Sequence, residues 1–195
     1  MRIIAGRYRG VRLASLGAGD AAAHLRPTSD RVRESLFNML AHGGYSEPPL
    51  PQGARVLDLF AGTGALGLEA LSRGAAHVCF ADDGRKALGI LDQNITRMKV
   101  ESATKVLAQD ATRLGRNQDA GFDLIFLDPP YGKALGERAI AAVMAGGWLA
   151  PGAVVVWEES ADPVPSPGLI LLDARRYGDT MITIFRHDTP GDGMT

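Results

Sequence analysis

From residue 54 onward, apolar segments of strand length alternate with segments of helical periodicity, and this alternation constrains the fold more than any other feature of the chain. Strands that are apolar along their whole length and are separated by helices form parallel sheets covered on both faces, the doubly wound α/β class. Five strands are predicted, at residues 54–59, 77–81, 104–108, 122–127 and 153–158. Helices are predicted near residues 65–73, 85–98, 111–117 and 134–146. We therefore expect an α/β protein.

The end of the chain departs from this alternation. Residues 169–176 and 180–186 are two further strands that flank Tyr177-Gly178-Asp179, which is typical of an antiparallel hairpin and not of a helical crossover. Five parallel strands completed by such a hairpin favour a mostly parallel, seven-stranded sheet of the methyltransferase type over a dinucleotide-binding sheet.

Residues 1–43 form a predicted N-terminal extension, with a small β-hairpin over residues 2–14 around Gly6-Arg7. A helix is predicted to begin after Pro27, with Thr28 or Ser29 as its cap. Its apolar face consists of Val32, Leu36, Met39 and Leu40. The Pro- and Gly-rich residues 42–53 are expected to be a linker to a sheet domain at 54–187, followed by a flexible tail at 188–195.

The charge of the chain is distributed unevenly. The first 40 residues hold seven arginines and three acidic residues, a net +4, whereas the protein carries −1 in total, so the other 155 residues carry −5. Guanidinium groups suit phosphates and stack on bases, so this segment is a predicted nucleic-acid contact, with Tyr8 as a stacking surface. The candidate contacts are Arg7, Arg9, Arg12, Arg26, Arg31 and Arg33. The alternative is a merely solvated charged face.

Composition excludes several other classes of protein. With 46% hydrophobic and 22% charged residues, the chain is predicted to fold as a soluble protein. Cys79 is the single cysteine and the four histidines are scattered, so neither an internal disulfide nor a metal site is expected. No apolar run approaches the ~18 residues of a membrane span, and arginines stand where a signal peptide would be apolar. We expect a cytoplasmic protein.

The segment VLDLFAGTGALGLEAL, residues 56–71, is predicted to be a strand, a glycine-rich turn and the start of a helix. Open α/β sheets bind ligands at the carboxyl ends of their strands, so a cofactor is expected here. The candidate contacts are Asp58, Phe60, Ala61, Gly62, Thr63 and Gly64. Asp58 can accept hydrogen bonds from an ammonium group, which suits adenosylmethionine. The same turn also fits the G-x-G-x-x-G fingerprint of nicotinamide dinucleotides, so this motif leaves both cofactors open.

Acidic residues also follow the next two predicted strands. Asp82 could accept both ribose hydroxyls of an adenosine, and we prefer it to Asp83, which is expected to be solvated. Asp110 could accept a hydrogen bond from the adenine amine, although an Asp at this place also serves as a helix cap. These acids extend the predicted cofactor site along one edge of the sheet.

The strand FDLIFL runs directly into Asp128-Pro129-Pro130-Tyr131. A nucleobase amine is a poor nucleophile because its lone pair is delocalised into the ring. The Asp128 carboxylate and the Pro129 carbonyl can accept its two hydrogens and so favour the pyramidal nitrogen of a transition state. Tyr131 would stack on the base. The tetrad therefore predicts methyl transfer to an exocyclic amine, against the alternative of an ordinary turn.

The spacing Asp58-x-Phe60-x-Gly62-x-Gly64 followed by the tetrad resembles the S-adenosylmethionine-dependent amino-methyltransferases. The segments RIIAGRYRG, LRPTSDRVRESLFNML and ALGLEALSRGA closely resemble the RsmD family of bacterial 16S ribosomal RNA guanine-N2 methyltransferases. The resemblance covers nearly the whole chain, from Arg2 to about His187. The chain departs from the family pattern at Ala81-Asp82, where a Val-Glu-type pair is usual, and in the Ala-rich loop 17–24.

The resemblance implies a class I, Rossmann-like methyltransferase fold. It implies S-adenosylmethionine as cofactor, held by the loop of residues 58–64 with Asp82 and Asp110, and catalysis by residues 128–131. The implied partner is 16S ribosomal RNA, within a small-subunit particle, with no DNA or membrane partner and a monomeric protein.

Three other functions remain as alternatives. A DNA adenine-N6 or cytosine-N4 methyltransferase could use the same tetrad, but only about fifty residues lie outside the sheet domain to read a DNA site. A nicotinamide oxidoreductase would need hydride-transfer residues that we do not find. A non-enzymatic ribosome assembly factor would not need the intact cofactor loop.

Overall fold

The computed structural model describes residues 1–15, 29–131, 133–161, 163 and 166–188. Its centre is a seven-stranded sheet formed by β1 (Arg55–Leu59), β2 (His77–Asp82), β3 (Thr104–Ala108), β4 (Phe122–Leu127), β5 (Leu149–Glu159), β6 (Leu169–Tyr177) and β7 (Thr180–His187). The strand order is β3-β2-β1-β4-β5-β7-β6. Strands β1 to β5 are parallel, and β7 is antiparallel to both neighbours. The predicted methyltransferase-type sheet is confirmed.

The helices within the described residues are α1 (Asp30–His42), α2 (Ala65–Ser72), α3 (Arg85–Met98) and α4 (Leu135–Ala145), with 3₁₀ turns at Glu101–Ala103 and Ala111–Arg113. Ser29 caps α1 and accepts a hydrogen bond from the amide of Val32 at 3.3 Å. The predicted helix at 111–117 is wrong beyond its first turn. Leu114 is extended, and the side chain of Asn117 bonds to nearby backbone groups, which competes with a helix.

The sheet has one hydrophobic core on each face, because successive strand residues point to opposite sides. Residues such as Val56 and Phe126 face the core shared with α1, α2, α3 and the N-terminal segment. Their neighbours Leu57 and Ile125 face the core shared with α4. Cys79 is buried in the second core, as the sequence predicts. Both faces of the sheet are therefore covered.

The N-terminal segment forms a hairpin that is shorter than the predicted one at residues 2–14. Within residues 1–15, an antiparallel bridge joins Arg2 to Arg12, and the Ile3 amide donates to the Val11 carbonyl at 2.9 Å. Other amides between them bind α2: the Glu69 carboxylate accepts two of them, at 2.8 and 3.0 Å, and Ser72 accepts two more, at 2.7 and 3.0 Å. The Glu69 and Ser72 side chains and the Ser72 carbonyl thus satisfy backbone donors that lie between the two paired ends of the segment.

The predicted linker at 42–53 has irregular structure but packs against the rest of the protein. Leu50 is buried, and the Tyr45 hydroxyl donates to Asp173 at 3.0 Å. Phe37 of α1 meets Phe126 of β4 edge to face, with ring centroids 5.7 Å apart. One core therefore runs from α1 into the sheet. The domain boundaries stay a prediction, and residues 189–195 of the predicted tail lie outside the described residues.

Strand β5 begins four residues before the predicted start at residue 153. Pro151 and Gly152 lie inside the strand, where the register between β4 and β5 shifts. A bulge of this kind absorbs residues that a regular ladder cannot pair. The shift ends before Leu127, which pairs with Trp157. The register is therefore regular at the carboxyl edge, where the candidate site lies.

Candidate active site

Four acidic residues emerge at the carboxyl edge of the sheet on one face. Asp58 lies on β1 and Asp82 ends β2. Asp128 follows β4, and because Leu127 pairs with Trp157, it leaves the sheet beside Glu158 of β5. The numbering parity of the paired strands puts all four side chains on the face that also carries α2 and α3. The predicted convergence of acids at one edge is therefore present, with Glu158 as an additional member.

The cofactor loop has an unusual backbone. Phe60 has φ 58° and Gly64 has φ 79°, both in the left-handed region. For Phe60 this conformation is strained, a feature concentrated at functional sites. A Cβ on Gly64 would lie 2.4 Å from Leu91 Cδ1, so the Leu91 side chain of α3 would have to move to accommodate it. Within the loop, Ala61 is buried and Thr63 is half-buried. The requirement for glycine at position 64 follows chiefly from its φ.

Asp58 is 2% exposed, and its Oδ2 accepts a hydrogen bond from the Gly67 amide in the first turn of α2 at 2.9 Å. Burial raises the pKa of Asp58 to about 8 despite this hydrogen bond, and Asp82 raises it further. In a dinucleotide site this helix turn faces the pyrophosphate. Here a carboxyl group occupies it, and a cationic ligand suits such a group better than a phosphate.

The Asp82 side chain stabilises two backbone turns by accepting hydrogen bonds from their amides. Its Oδ2 accepts from the Gly62 amide and its Oδ1 from the Gly84 amide, both at 2.8 Å. Asp83 is exposed, in keeping with the preference for Asp82. Each carboxylate oxygen can accept more than one hydrogen bond, so Asp82 keeps capacity for hydroxyl donors. Its ribose contact stays a prediction.

Asp110 takes the capping role that was the alternative to adenine binding. Its Oδ1 accepts from the amide and the hydroxyl of Thr112 at 2.8 and 2.7 Å, at the start of the 3₁₀ turn Ala111–Arg113. The Thr112 hydrogen bonds lower the pKa of Asp110. Arg113 Nε lies 3.6 Å from Oδ2. The local contacts account for this carboxylate, and its adenine contact stays a prediction.

The tetrad lies at the end of β4, with Pro129 buried and Asp128 and Pro130 half-buried. Burial raises the pKa of the Asp128 carboxyl well above its usual range, and the negative charges of Glu158, Asp58 and Glu159 add to this effect. The site therefore holds several carboxyl groups close together, and when ionised they are hydrogen-bond acceptors.

Tyr131 is 37% exposed, and its hydroxyl donates to Glu158 Oε1 at 3.1 Å, with Thr180 Oγ1 3.3 Å away. Burial raises the pKa of Tyr131 by more than the Thr180 hydrogen bond lowers it, and the negative charges of Glu158 and Asp128 raise it further. The phenol therefore stays protonated. Glu158 was not singled out from the sequence, although it stands at the end of a predicted strand on the same sheet edge as Asp128.

The predicted nucleic-acid contacts divide into two groups. Arg7, Arg9, Arg12 and Arg31 are exposed, and the Arg7 guanidinium lies 5.5 Å from the centroid of the Tyr8 ring. Arg26 and the loop 17–24 lie outside the described residues. The four exposed arginines are accessible to a polyanion.

The prediction for Arg33 is wrong. This side chain is fully buried and donates to the Arg2 carbonyl at 2.5 Å and to Asp30 at 2.9 Å. Its Nε lies 3.9 Å from Glu69, and burial lowers the pKa of Arg33. The helix pattern placed all arginines away from the apolar face, but a buried acid on α2 provides a partner for this one. Arg33 is a core residue.

Asn94, on α3, joins the N-terminal segment to the cofactor loop and was not singled out from the sequence. It is fully buried, accepts from the Ala14 amide at 2.7 Å, and donates to the carbonyls of Ala14 and Thr63 at 3.1 and 3.0 Å. One amide side chain thus satisfies backbone groups of both segments. The position of the arginine-rich segment is tied to that of the loop.

Across the described ranges, no three His, Cys, Asp or Glu side chains are grouped so that they could hold a metal ion. Within the same ranges, no helix is long and apolar enough to cross a membrane.

Known proteins resemble the chain along most of its length. Ribosomal RNA small subunit methyltransferase D of Haemophilus influenzae is 38% identical over 172 residues, 86% of this chain and 83% of that protein. The protein of the same name from Escherichia coli K12 is 38% identical over 162 residues, 83% and 76% of the two chains. A solved structure of the Escherichia coli protein yhhF, described as a candidate methyltransferase, covers 97% of this chain and 98% of its own, at 33% identity and a TM-score of 0.80. The family model described as Conserved hypothetical protein 95 matches residues 1–186, and the chain belongs to this family, the RsmD family.

Proposed function

We propose that the protein transfers a methyl group from S-adenosylmethionine to the exocyclic N2 of a guanine in 16S ribosomal RNA. The curated relatives named ribosomal RNA small subunit methyltransferase D support methylation of ribosomal RNA as the activity. The observation that carries the finer proposal is the placement of Asp128 and Glu158 side by side at the sheet edge that also holds the cofactor loop. This arrangement puts hydrogen-bond acceptors where a base amine would meet a methyl donor.

The residues at the loop fit S-adenosylmethionine by their chemistry. When bound, this cofactor supplies a methyl group on a sulfonium centre. Its ammonium group would be held at Asp58, and its ribose hydroxyls at Asp82. A cation near Asp58 stabilises the ionised carboxylate, which burial otherwise disfavours. A pyrophosphate would instead meet a buried carboxyl at the start of α2. The acids thus favour the sulfonium cofactor over a nicotinamide dinucleotide.

The tetrad would position and activate the target amine. The Asp128 carboxylate and the Pro129 carbonyl accept its two hydrogens, which favours a pyramidal nitrogen with an available lone pair. The Tyr131 ring is exposed enough to stack on the base, while its hydroxyl is held by Glu158. After transfer, Asp128 or water accepts the proton that the amine loses. No residue of the site needs to form a covalent bond to the base.

The purified protein is expected to bind S-adenosylmethionine with a micromolar dissociation constant, about −8 kcal/mol, and to give no measurable heat with NAD. The reason is the occupation of the first turn of α2 by Asp58. Isothermal titration calorimetry with each cofactor in the same buffer measures the preference. Binding of NAD without binding of S-adenosylmethionine would contradict the proposed cofactor.

The exposed arginines of the N-terminal segment would contact the phosphates of the RNA. They lie on a segment whose amides are fixed to α2, the helix that follows the cofactor loop. Binding of phosphates there would orient the RNA relative to the tetrad. The proposal includes action on ribosomal RNA within a small-subunit particle, by a monomer in the cytoplasm.

Replacement of Arg7, Arg9 and Arg12 by alanine is expected to weaken RNA binding and to flatten its salt dependence. Each lost phosphate contact lowers the slope of log K against log salt by nearly one unit. Affinities for a small-subunit ribosomal RNA fragment at about 50 to 200 mM salt give this slope. S-adenosylmethionine affinity and the circular dichroism spectrum serve as controls. An unchanged slope in the triple variant would mean that these arginines form only a solvated face.

A further inference from the structure

Glu158 is a second acid beside the position proposed for the target amine, and the chemistry proposed for the tetrad gives it no contact with the base. It is 7% exposed, which is unusual for a carboxylate, and lies near the end of β5. The Tyr131 hydroxyl donates to its Oε1. The Tyr131 hydrogen bond occupies one of the roughly four acceptor positions that an ionised carboxylate offers.

The register brings this acid close to Asp128. Leu127 of β4 pairs with Trp157 of β5, so the residues that follow them lie side by side on neighbouring strands, about 5 Å apart at the backbone. Both point to the same face of the sheet. The negative charge of Glu158 also contributes to the raised pKa of Asp128, which requires the two carboxyl groups to be near each other. Two acceptors therefore stand next to each other beside the ring of Tyr131.

Guanine presents two kinds of donor next to each other on its Watson–Crick edge, the N2 amine and the N1 hydrogen. Adenine and cytosine place an acceptor nitrogen, N1 or N3, beside their exocyclic amines. A pair of adjacent carboxylates matches the guanine edge, whereas it would face the lone pair of the acceptor nitrogen in the other two bases. An unmatched buried polar group of this kind is costly. The pair therefore favours guanine over the other bases that carry an amine.

We propose that Glu158 is a specificity-determining residue that accepts the N1 hydrogen of the target guanine while Asp128 and Pro129 accept the hydrogens of N2. This inference rests on the proposed guanine-N2 activity and names the residue that selects the base. The hydrogen bond from Tyr131 fixes the Glu158 carboxylate beside the ring that stacks on the base. The Tyr131–Glu158 hydrogen bond thereby positions both the carboxylate that selects the base and the ring that stacks on it.

The test replaces the target guanosine by 2-aminopurine riboside in a synthetic fragment of 16S ribosomal RNA, after the nucleotide methylated by the wild-type protein has been mapped. This analogue keeps the 2-amino group but carries a lone pair at N1. Sites built around a substrate donor reject analogues that lack it by about 10⁴-fold or more. We expect wild-type single-turnover rates at least about 10³-fold lower on the analogue, since the fragment and the rest of the base still bind. Equal rates on the two substrates would overturn the proposal without any variant.

The variant Glu158→Gln gives an independent readout, because its amide can donate to the N1 lone pair of 2-aminopurine. We expect the ratio of the single-turnover rate on guanosine to the rate on 2-aminopurine to be about 10-fold or more smaller in this variant than in the wild type, the effect of roughly one hydrogen bond. Loss of O6 in the analogue affects all variants equally and cancels in the comparison.

The matched control is Glu159→Gln. It removes the same charge from the next residue, whose carboxylate bonds to Ser160 and points to the other face of the strand, so the preference should stay as in the wild type. Equal losses on both substrates in Glu158→Gln would show that the residue acts only through Tyr131 and would overturn the proposal. Absence of any guanine methylation by the wild type would instead refute the proposed function, and the two failures are therefore distinct.

Discussion

Replacement of Asp128 by alanine is expected to lower the rate of methyl transfer about 10²- to 10³-fold, the usual cost of removing one preorganised polar partner of a transition state. The carboxylate would interact with the amine hydrogens more strongly as the nitrogen becomes pyramidal, so its loss raises the barrier more than it weakens binding. Single-turnover assays with ribosomal RNA and labelled S-adenosylmethionine measure the effect. S-adenosylmethionine affinity should change little.

The wild-type rate should also fall as the pH is lowered, and the fall should begin at a higher pH than the pKa of an exposed Asp would give. The pKa of Asp128 is raised, so protonation of the carboxylate begins at a higher pH than for an exposed Asp and removes the acceptor form. The Asp128→Asn variant carries an acceptor oxygen that does not titrate at this position, and its rate should depend less on pH. A wild-type rate in Asp128→Ala would contradict the role of the tetrad. The Asp128 variants are expected to fold, because the substitution removes one of several carboxyl groups that repel each other. Circular dichroism checks that they do.

Replacement of Arg33 by alanine is expected to lower the free energy of unfolding by about 1.5 to 3 kcal/mol, the typical contribution of hydrogen bonds to a charged group. The buried guanidinium donates to the Arg2 carbonyl and to Asp30 and lies near Glu69. Its removal leaves a cavity and weakens the attachment of the N-terminal segment to α2. Urea unfolding measures the change.

The matched control for this experiment is Arg31→Ala, which removes an exposed arginine two residues earlier on the same helix. Its unfolding midpoint should match that of the wild type. Where Arg33→Ala remains folded, the salt dependence of its RNA binding should equal that of the wild type, because the residue is buried. A stable Arg33→Ala protein with a flatter salt dependence would restore the original prediction that Arg33 contacts RNA.

The strand and helix pattern was predictable because buried parallel strands are apolar along their whole length. The bounds of β3 and β4 and of α3 match the prediction, and the glycine-rich turn lies where the spacing predicts. The acidic residues at the ends of β1 and β2 were predictable for the same reason, since parallel strands end at one edge. Fold and site position thus followed from local periodicity.

Other features depended on partners distant in the chain. Arg33 is a core residue because Glu69, 36 positions later, provides a buried acid, and no local pattern contains that pairing. The same carboxylate accepts amides of the N-terminal segment and so attaches that segment to α2. Glu158 was missed because its importance comes from the lateral neighbour Asp128, 30 residues earlier. Side-chain pairing across elements was the information that a single sequence lacked.

The most direct test of the proposed activity is the incubation of purified protein with S-adenosylmethionine and small-subunit ribosomal RNA prepared from cells that lack the protein, both as naked RNA and as assembled particles. Nucleoside mass spectrometry of the product is expected to show N2-methylguanosine at one position that is unmodified before incubation. Methylation of adenine or cytosine in place of guanine in the RNA would contradict the proposal. So would methylation of DNA in a parallel reaction when no guanine of the RNA is methylated.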